Sequence, residues 1–187
     1  MKSLIAYGTR YGSTSNIASF MADVLREEVF DVEVVELTNK EKPSYNLTAY
    51  DLIIIGSAVR MGKWTGQALD FIKKNERILA TKRAAFFVSC ASVLDPTKRS
   101  EAKIEYLDKV LGKYPSIRPV ALGLFGGFFD FIGDHGFFYR LTLGAFRKQL
   151  EKEGVDVSMP YDFRDWDEIR DWTRSVGAYI QAHPSPV

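Results

Sequence analysis

Apolar and polar positions alternate along the chain in two periods, one of a strand and one of a helix, from end to end. Leu4-Ile5-Ala6-Tyr7 is short and nearly all apolar, the pattern of a strand covered on both faces. Over residues 13–28 the apolar positions Ile17, Phe20, Met21, Val24 and Leu25 recur at a 3.6-residue period, which predicts an amphipathic helix. Residues 32–37 alternate apolar with polar and predict an edge strand with one wetter face. Pro43 and its polar neighbours predict a loop or a short helical turn over residues 39–49. Leu52-Ile53-Ile54-Ile55-Gly56 is the most apolar run and predicts a central strand.

Helical spacing returns over residues 65–79, burying Ala68, Leu69, Ile72 and Ile78 or Leu79. Residues 84–90 form another buried strand pattern. A helix over 98–111 turns Ala102, Ile104, Leu107, Val110 and Leu111 inward and stops before Pro115. Residues 120–124 make the last strand pattern. A final helix from near Asp165 buries Trp166, Ile169, Trp172, Val176 and Ile180. Five strands alternating with helices predict an α/β fold: a three-layer, doubly wound, five-stranded parallel sheet with right-handed crossovers. Residues 1–182 read as one domain with an aromatic insertion at 125–150, and 183–187 as a mobile tail. Ligands in such sheets bind beyond the carboxyl ends of the strands. The loops at 8–14, 56–64 and 89–97 all follow strands, so they converge on one ligand.

Composition narrows the class without changing the fold. Apolar residues at 46% and charged residues at 26% are ordinary for a water-soluble globular chain of 187 residues. A net charge of +1 supplies no global field to recruit nucleic acid. The lone Cys90 excludes an intrachain disulfide and a cysteine-rich metal site, which fits a reducing cytoplasm. The first residues carry no secretory-signal pattern, and no apolar run reaches the ~18 residues of a spanning helix. Without such a signal, the glycosylation acceptor pattern Asn46-Leu47-Thr48 reads as chance.

Chemistry concentrates in the first loop. Thr9, Ser13 and Thr14 bring hydroxyl donors, Gly8 and Gly12 permit close backbone approach, and the helix behind adds unpaired N–H groups and a positive dipole end. The occupant is a phosphate; the competing reading of the hydroxyls is helix capping. Gly8 and Gly12 have three residues between them, and Ser13 stands where a P-loop needs lysine. Gly8-Thr9-Arg10 does not supply a dinucleotide fingerprint either. ATP, GTP and NAD therefore fit poorly, whereas a hydroxyl-rich loop without lysine suits a terminal phosphomonoester.

Thr9-Arg10-Tyr11-Gly12-Ser13-Thr14 resembles the phosphate loop of the flavodoxin family, with Ser13 replacing the usual asparagine and Tyr11 the second hydroxyl residue. Gly56-Ser57-Ala58-Val59-Arg60-Met61-Gly62-Lys63-Trp64 resembles the second loop of the flavodoxin-like, menaquinone-dependent protoporphyrinogen IX dehydrogenases of haem synthesis. Tyr50-Asp51, the stretch 68–74 and Asp165-Trp166 extend that similarity. The resemblance implies strand order 2-1-3-4-5, which general accounts of doubly wound folds give for flavodoxin, with FMN at the switch point. It implies that Thr9, Arg10, Tyr11, Gly12, Ser13 and Thr14 hold the phosphate. Ser57, Ala58, Val59, Arg60, Met61 and Gly62, with Ser89, Cys90, Ala91 and Ser92, then flank the ring and ribityl chain. A peptide flip at Met61-Gly62 would stabilise the reduced ring. The flavin carries the redox step, and the protein supplies binding and electronics.

Other residues have competing readings. Trp64 packs on the flavin or covers the helix that follows. Arg60 faces the flavin, binds an anionic substrate or lies on the surface. Cys90 reads as a small buried hydrophobe. His135 is a proton donor only beside a substrate and otherwise an exposed loop residue; His183 has no functional case. Asp162, Asp165, Asp167, Glu168 and Asp171 read as cap and surface charge around the last helix. In the insertion, Phe137, Phe138, Leu141, Ala145, Phe146 and Leu150 make a wide apolar helical face. The domain body, a second subunit and a membrane surface compete to cover it, and a porphyrin or quinone would need the same cover. Two functional classes follow. The first is an FMN-dependent oxidoreductase passing electrons from a bulky reduced substrate to a quinone. The second is an electron carrier that docks on redox proteins, which the lack of an acidic net charge disfavours. An FMN-free interaction module is the third and weakest reading.

Overall fold

The computed structural model describes residues 1–38, 45–130, 144, 147–148, 150–152, 154 and 156–183. The predicted turn around Pro43, most of the apolar face in the insertion, His135 and the tail after His183 lie outside the described residues.

Five strands run parallel: β1 (Lys2–Gly8), β2 (Asp31–Glu36), β3 (Leu52–Arg60), β5 (Arg83–Ser89) and β6 (Pro119–Phe125). Their order across the sheet is β2-β1-β3-β5-β6. Counted over the parallel strands alone, this is the expected 2-1-3-4-5. One register line crosses the whole sheet, Val34–Ile5–Ile54–Ala85–Ala121. Alternate residues on a strand point to opposite faces, and the core divides accordingly. Ile5, Ile54 and Phe87 pack under α1 (Ser13–Glu27) and the C-terminal helix α4 (Trp166–Ala182). Leu4, Ile53, Ile55 and Phe86 pack on the other side under α2 (Gly66–Leu79) and α3 (residues 99–111). This is why the inner strands read as continuous apolar runs: both faces are covered. Asp165 caps α4 as expected, its carboxylate accepting the Glu168 N–H at 2.9 Å.

Three departures from the sequence reading have physical causes. First, the segment read as a loop at 57–64 is mostly β structure. β3 continues to Arg60 and turns back through Met61-Gly62 into a short antiparallel strand, β4 (Lys63–Trp64). Met61 (φ 50°) and Gly62 (φ 74°) both lie in the left-handed region, as a two-residue hairpin turn demands. Trp64 is thereby turned into the core, where its indole N–H donates to the Tyr106 carbonyl at 2.6 Å. The core-cover reading of this tryptophan stands.

Second, α3 is composite: α-helical at Arg99–Lys103, π-helical at Ile104–Asp108 and α-helical again at Lys109–Leu111. The buried residues Ala102, Leu107 and Leu111 are spaced by five and then four. The wider π turn is what aligns them. Ile104, expected inward, is 52% exposed because it sits off that line.

Third, the chain leaving β6 forms a small ribbon, β7 (Phe128–Phe129) paired antiparallel with β8 (Tyr161–Asp162). Nothing in the local hydrophobic pattern announces this pairing. The ribbon brings the start of the insertion back over the carboxyl edge of the sheet.

Candidate functional site

The carboxyl ends of β1, β3 and β5 open on a cavity of about 320 Å³. Four segments wall it: the loop after β1, the end of the β3–β4 hairpin, the residues after β5, and Gly127-Phe128-Phe129.

The first wall begins at Gly12, whose backbone is left-handed (φ 86°) and which immediately precedes α1. The Asn16 N–H makes the first helical bond, to the Gly12 carbonyl at 3.1 Å. The N–H groups of Ser13, Thr14 and Ser15 precede that bond and have no intrahelical acceptor. No acidic residue occupies the first turn of α1, so the dipole end is not neutralised. The hydroxyls are oriented rather than loose. Thr9 Oγ1 accepts the Gly12 N–H at 3.1 Å, and Ser13 Oγ accepts the Phe128 N–H at 3.0 Å. Because both oxygens act as acceptors, both O–H groups remain available as donors. Thr14 is fully buried, and its hydroxyl shares a hydrogen bond with Ser89 at 2.9 Å.

Gly8 does something other than the sequence suggested. A Cβ there would lie 2.0 Å from Thr65 Oγ1, so the glycine makes room for the residue that caps α2. It serves packing between β1 and α2, and it does not line the cavity.

Thr9, Arg10, Tyr11, Ser13 and Thr14 face the cavity from the first loop. Ala58, Val59, Arg60 and Met61 face it from the hairpin, and Ser89, Cys90 and Ala91 from the end of β5. Besides Gly8, four predicted residues do not line it. Gly12 shapes the loop and Gly62 the hairpin turn. Ser57 is buried beneath the site, where its Oγ accepts the Thr65 N–H at 3.0 Å and lies 3.2 Å from Thr65 Oγ1. Ser92 lies 3.3 Å from the Tyr106 hydroxyl.

Arg60 stands with its guanidinium carbon 5.7 Å from the Tyr11 ring centroid, joining two walls. The Cys90 thiol is pushed up from about 9 to about 11, mainly by burial, against weaker downward pulls from the Ser92 and Val93 N–H groups and from Arg99. It is a protonated small hydrophobe, as its place at the end of a buried strand suggested. Among the described residues no cluster could hold a metal ion.

Gly127, Phe128 and Phe129 complete the cavity and were missed as site residues, although the aromatic insertion was singled out. Their position depends on the ribbon. Arg164 anchors it: the side chain is 6% exposed and forks the Asp162 carboxylate at 2.7 Å through both Nε and Nη2. Its guanidinium lies between the rings of Phe128 (5.4 Å) and Trp166 (4.5 Å).

Comparison with known proteins is consistent along the chain. The family model described as a flavodoxin domain matches residues 4–153. The protoporphyrinogen IX dehydrogenase [quinone] of Escherichia coli strain K12 is 26% identical over 185 residues, covering 99% of each chain. The protein of the same name from Leishmania major is 25% identical over 184 residues, covering 98% of this chain and 78% of that protein. Oxidised flavodoxin 1 from Bacillus cereus superposes with a TM-score of 0.56 at 21% identity, over 99% of this chain and all of that one. This last likeness concerns the fold. Among the described residues no helix is long and apolar enough to cross a membrane.

Proposed function

The chain belongs to the flavodoxin domain family, whose cofactor is FMN, and from that premise we propose that it is an FMN-dependent oxidoreductase that oxidises a protoporphyrinogen-type substrate and reduces a quinone. The observation that carries this reading is the end-to-end match, 99% of both chains, to a dehydrogenase of that name.

The cavity fits the cofactor on its own chemistry. Unpaired N–H groups at the start of α1 and the donor hydroxyls of Thr9 and Ser13 suit a phosphate dianion. No carboxylate is among the described residues lining the cavity. Its volume falls in the usual range for a ligand of this size. In this reading Arg10 and Tyr11 close over the phosphate. Ala58, Val59, Met61, Cys90 and Ala91 supply apolar surface beside the ring. Phe128 and Phe129 cover it from the ribbon and exclude water.

When bound, the flavin supplies the redox chemistry; the side chains bind it, orient it and keep it dry. Each pair of electrons and protons leaving the porphyrinogen reduces one quinone to its quinol. The test is oxidation of protoporphyrinogen IX by FMN-loaded protein with a menaquinone analogue. Turnover well above that of free FMN is expected. No turnover, with rapid electron transfer to a redox protein instead, would place the chain among the carriers.

A further inference from the structure

The cavity lining holds two arginines, one from the loop after β1 and one from the β3–β4 hairpin, and no carboxylate among the described residues. Arg10 belongs to the loop with the phosphate donors. Arg60 does not: it ends β3, one residue before the hairpin turn, with Lys63 as its cross-strand partner. One phosphate accounts for the donors of the first wall, which leaves Arg60 in the lining, with Lys63 opposite it on the hairpin, as cationic groups outside that loop. The hairpin end lies at an apolar mouth, where Met61 is 81% exposed, Tyr11 42% and Phe128 37%. Cations beside apolar rings suit a ligand that is itself an apolar ring system carrying negative arms.

Resting on the function proposed above, we propose that Arg60 is the specificity residue that takes a carboxylate of the reduced substrate and has no role in binding the uncharged quinone. Its guanidinium carbon lies over the Tyr11 ring, 5.7 Å from the centroid, a cation–π contact that holds the group at the cavity wall. The planar guanidinium fork binds a carboxylate through two parallel N–H bonds, which a lysine cannot reproduce. Lys63 raises the local positive potential without needing direct contact.

The test combines a chemical change in the substrate with a change in the protein. FMN-loaded wild type, Arg60→Gln and Arg60→Lys are assayed with protoporphyrinogen IX as the free diacid and as its dimethyl ester. In wild type, esterification should raise KM about tenfold or more, the scale of a lost charge-assisted hydrogen bond. Arg60→Gln should raise the diacid KM by a similar factor and move the ester KM by less than about threefold, so the two changes are not additive. Arg60→Lys should fall between. Because Arg60 also faces the cavity, the FMN dissociation constant and the KM for the menaquinone analogue, measured at saturating FMN, should change by smaller factors than the diacid KM in both variants.

Equal handling of diacid and ester by wild type would overturn the assignment and leave the proposed function standing. A loss confined to FMN affinity would also overturn it, placing Arg60 on the cofactor. If wild type oxidises neither substrate, the functional reading fails. Equilibrium quenching of porphyrin fluorescence then decides the arginine separately: preference for the diacid, lost in Arg60→Gln, sustains the carboxylate site, and equal binding or none overturns it.

Discussion

The amide of Phe128 donates to the hydroxyl oxygen of Ser13 at 3.0 Å, across 115 positions of sequence. This bond ties the aromatic ribbon to the loop at the start of α1. It also orients Ser13, whose own hydrogen is left to donate into the cavity. Ser13→Ala should therefore have two effects. FMN affinity should fall about five- to tenfold, the equivalent of one hydrogen bond of about 1 kcal/mol. The Phe128 amide should exchange its hydrogen faster in the FMN-loaded protein. Calorimetric titration and residue-resolved exchange read these separately; weaker FMN binding with unchanged Phe128 exchange would show that the ribbon is held by other contacts.

Thr14 and Ser89 share a buried hydrogen bond of 2.9 Å between α1 and the end of β5. Thr14→Val keeps the shape but leaves the Ser89 hydroxyl buried without its partner. A loss of about 1–3 kcal/mol is expected, the desolvation cost of an unsatisfied polar group. The double variant Thr14→Val with Ser89→Ala should recover part of it, because both polar groups are then gone. Urea denaturation of the four proteins measures the coupling, and strict additivity would contradict it.

Gly8→Ala places a methyl group 2.0 Å from Thr65 Oγ1, the group that caps α2. Overpacking at such a junction costs about 1–3 kcal/mol. Thr65→Ala removes the clashing oxygen, so the two substitutions together should cost less than their sum. Thermal unfolding at fixed FMN concentration tests this. An unperturbed Gly8→Ala would mean that the junction yields freely.

Much of this architecture was legible because each inner strand is covered on both faces and each helix on one. Those burial patterns repeat with periods that a sequence displays directly. Residues 56–64 read as a loop, and their hairpin pairing was not legible, since two residues of β4 carry no period of their own. Ile104 was misplaced because a strict 3.6 period cannot register a π turn. The cavity lining was legible at Thr9, Ser13 and Thr14, where hydroxyl chemistry and helix start coincide. It was illegible at Phe128, whose place depends on Asp162 and Arg164 more than 30 positions away. Gly8 was misread for a related reason: only the fold reveals that Thr65 occupies the space beside it.

Cys90 lies in the cavity wall with its thiol raised to about 11, chiefly by burial. A raised value means that the folded state holds the proton more tightly than the unfolded one. The stabilisation is whole below about 9 and is lost as pH rises toward about 11. At pH 8 the thiol should alkylate with iodoacetamide far more slowly than a free cysteine, because the thiolate is the nucleophile. Cys90→Ala should flatten the alkaline limb of the stability curve. Fast labelling of the folded protein at pH 8 would contradict the buried, protonated thiol.

Asp162 and Arg164 decide whether the ribbon stays down. Burial alone would push the Asp162 carboxyl up, but the hydrogen bonds and charge of Arg164 outweigh it and hold the group below the usual carboxylate range. A lowered value stabilises the fold at pH above the unfolded value of about 4, and that support is lost as pH falls through the lower folded one. Wild type should therefore keep its ribbon closed at neutral pH and release it only in acid. Asp162→Asn should release it at pH 7, because the Arg164 charge, 6% exposed between Phe128 and Trp166, then lacks its carboxylate. Since Asp162 itself is 37% exposed, solvent screening keeps the loss below that of a fully buried pair, about 1–2 kcal/mol. Trp166 fluorescence reports the sandwich directly, and faster FMN dissociation reports the opened cover. If Asp162→Asn leaves both signals at their wild-type values at pH 7, the stacking of Arg164 on its two aromatic neighbours suffices to hold the ribbon, and the ion pair is dispensable.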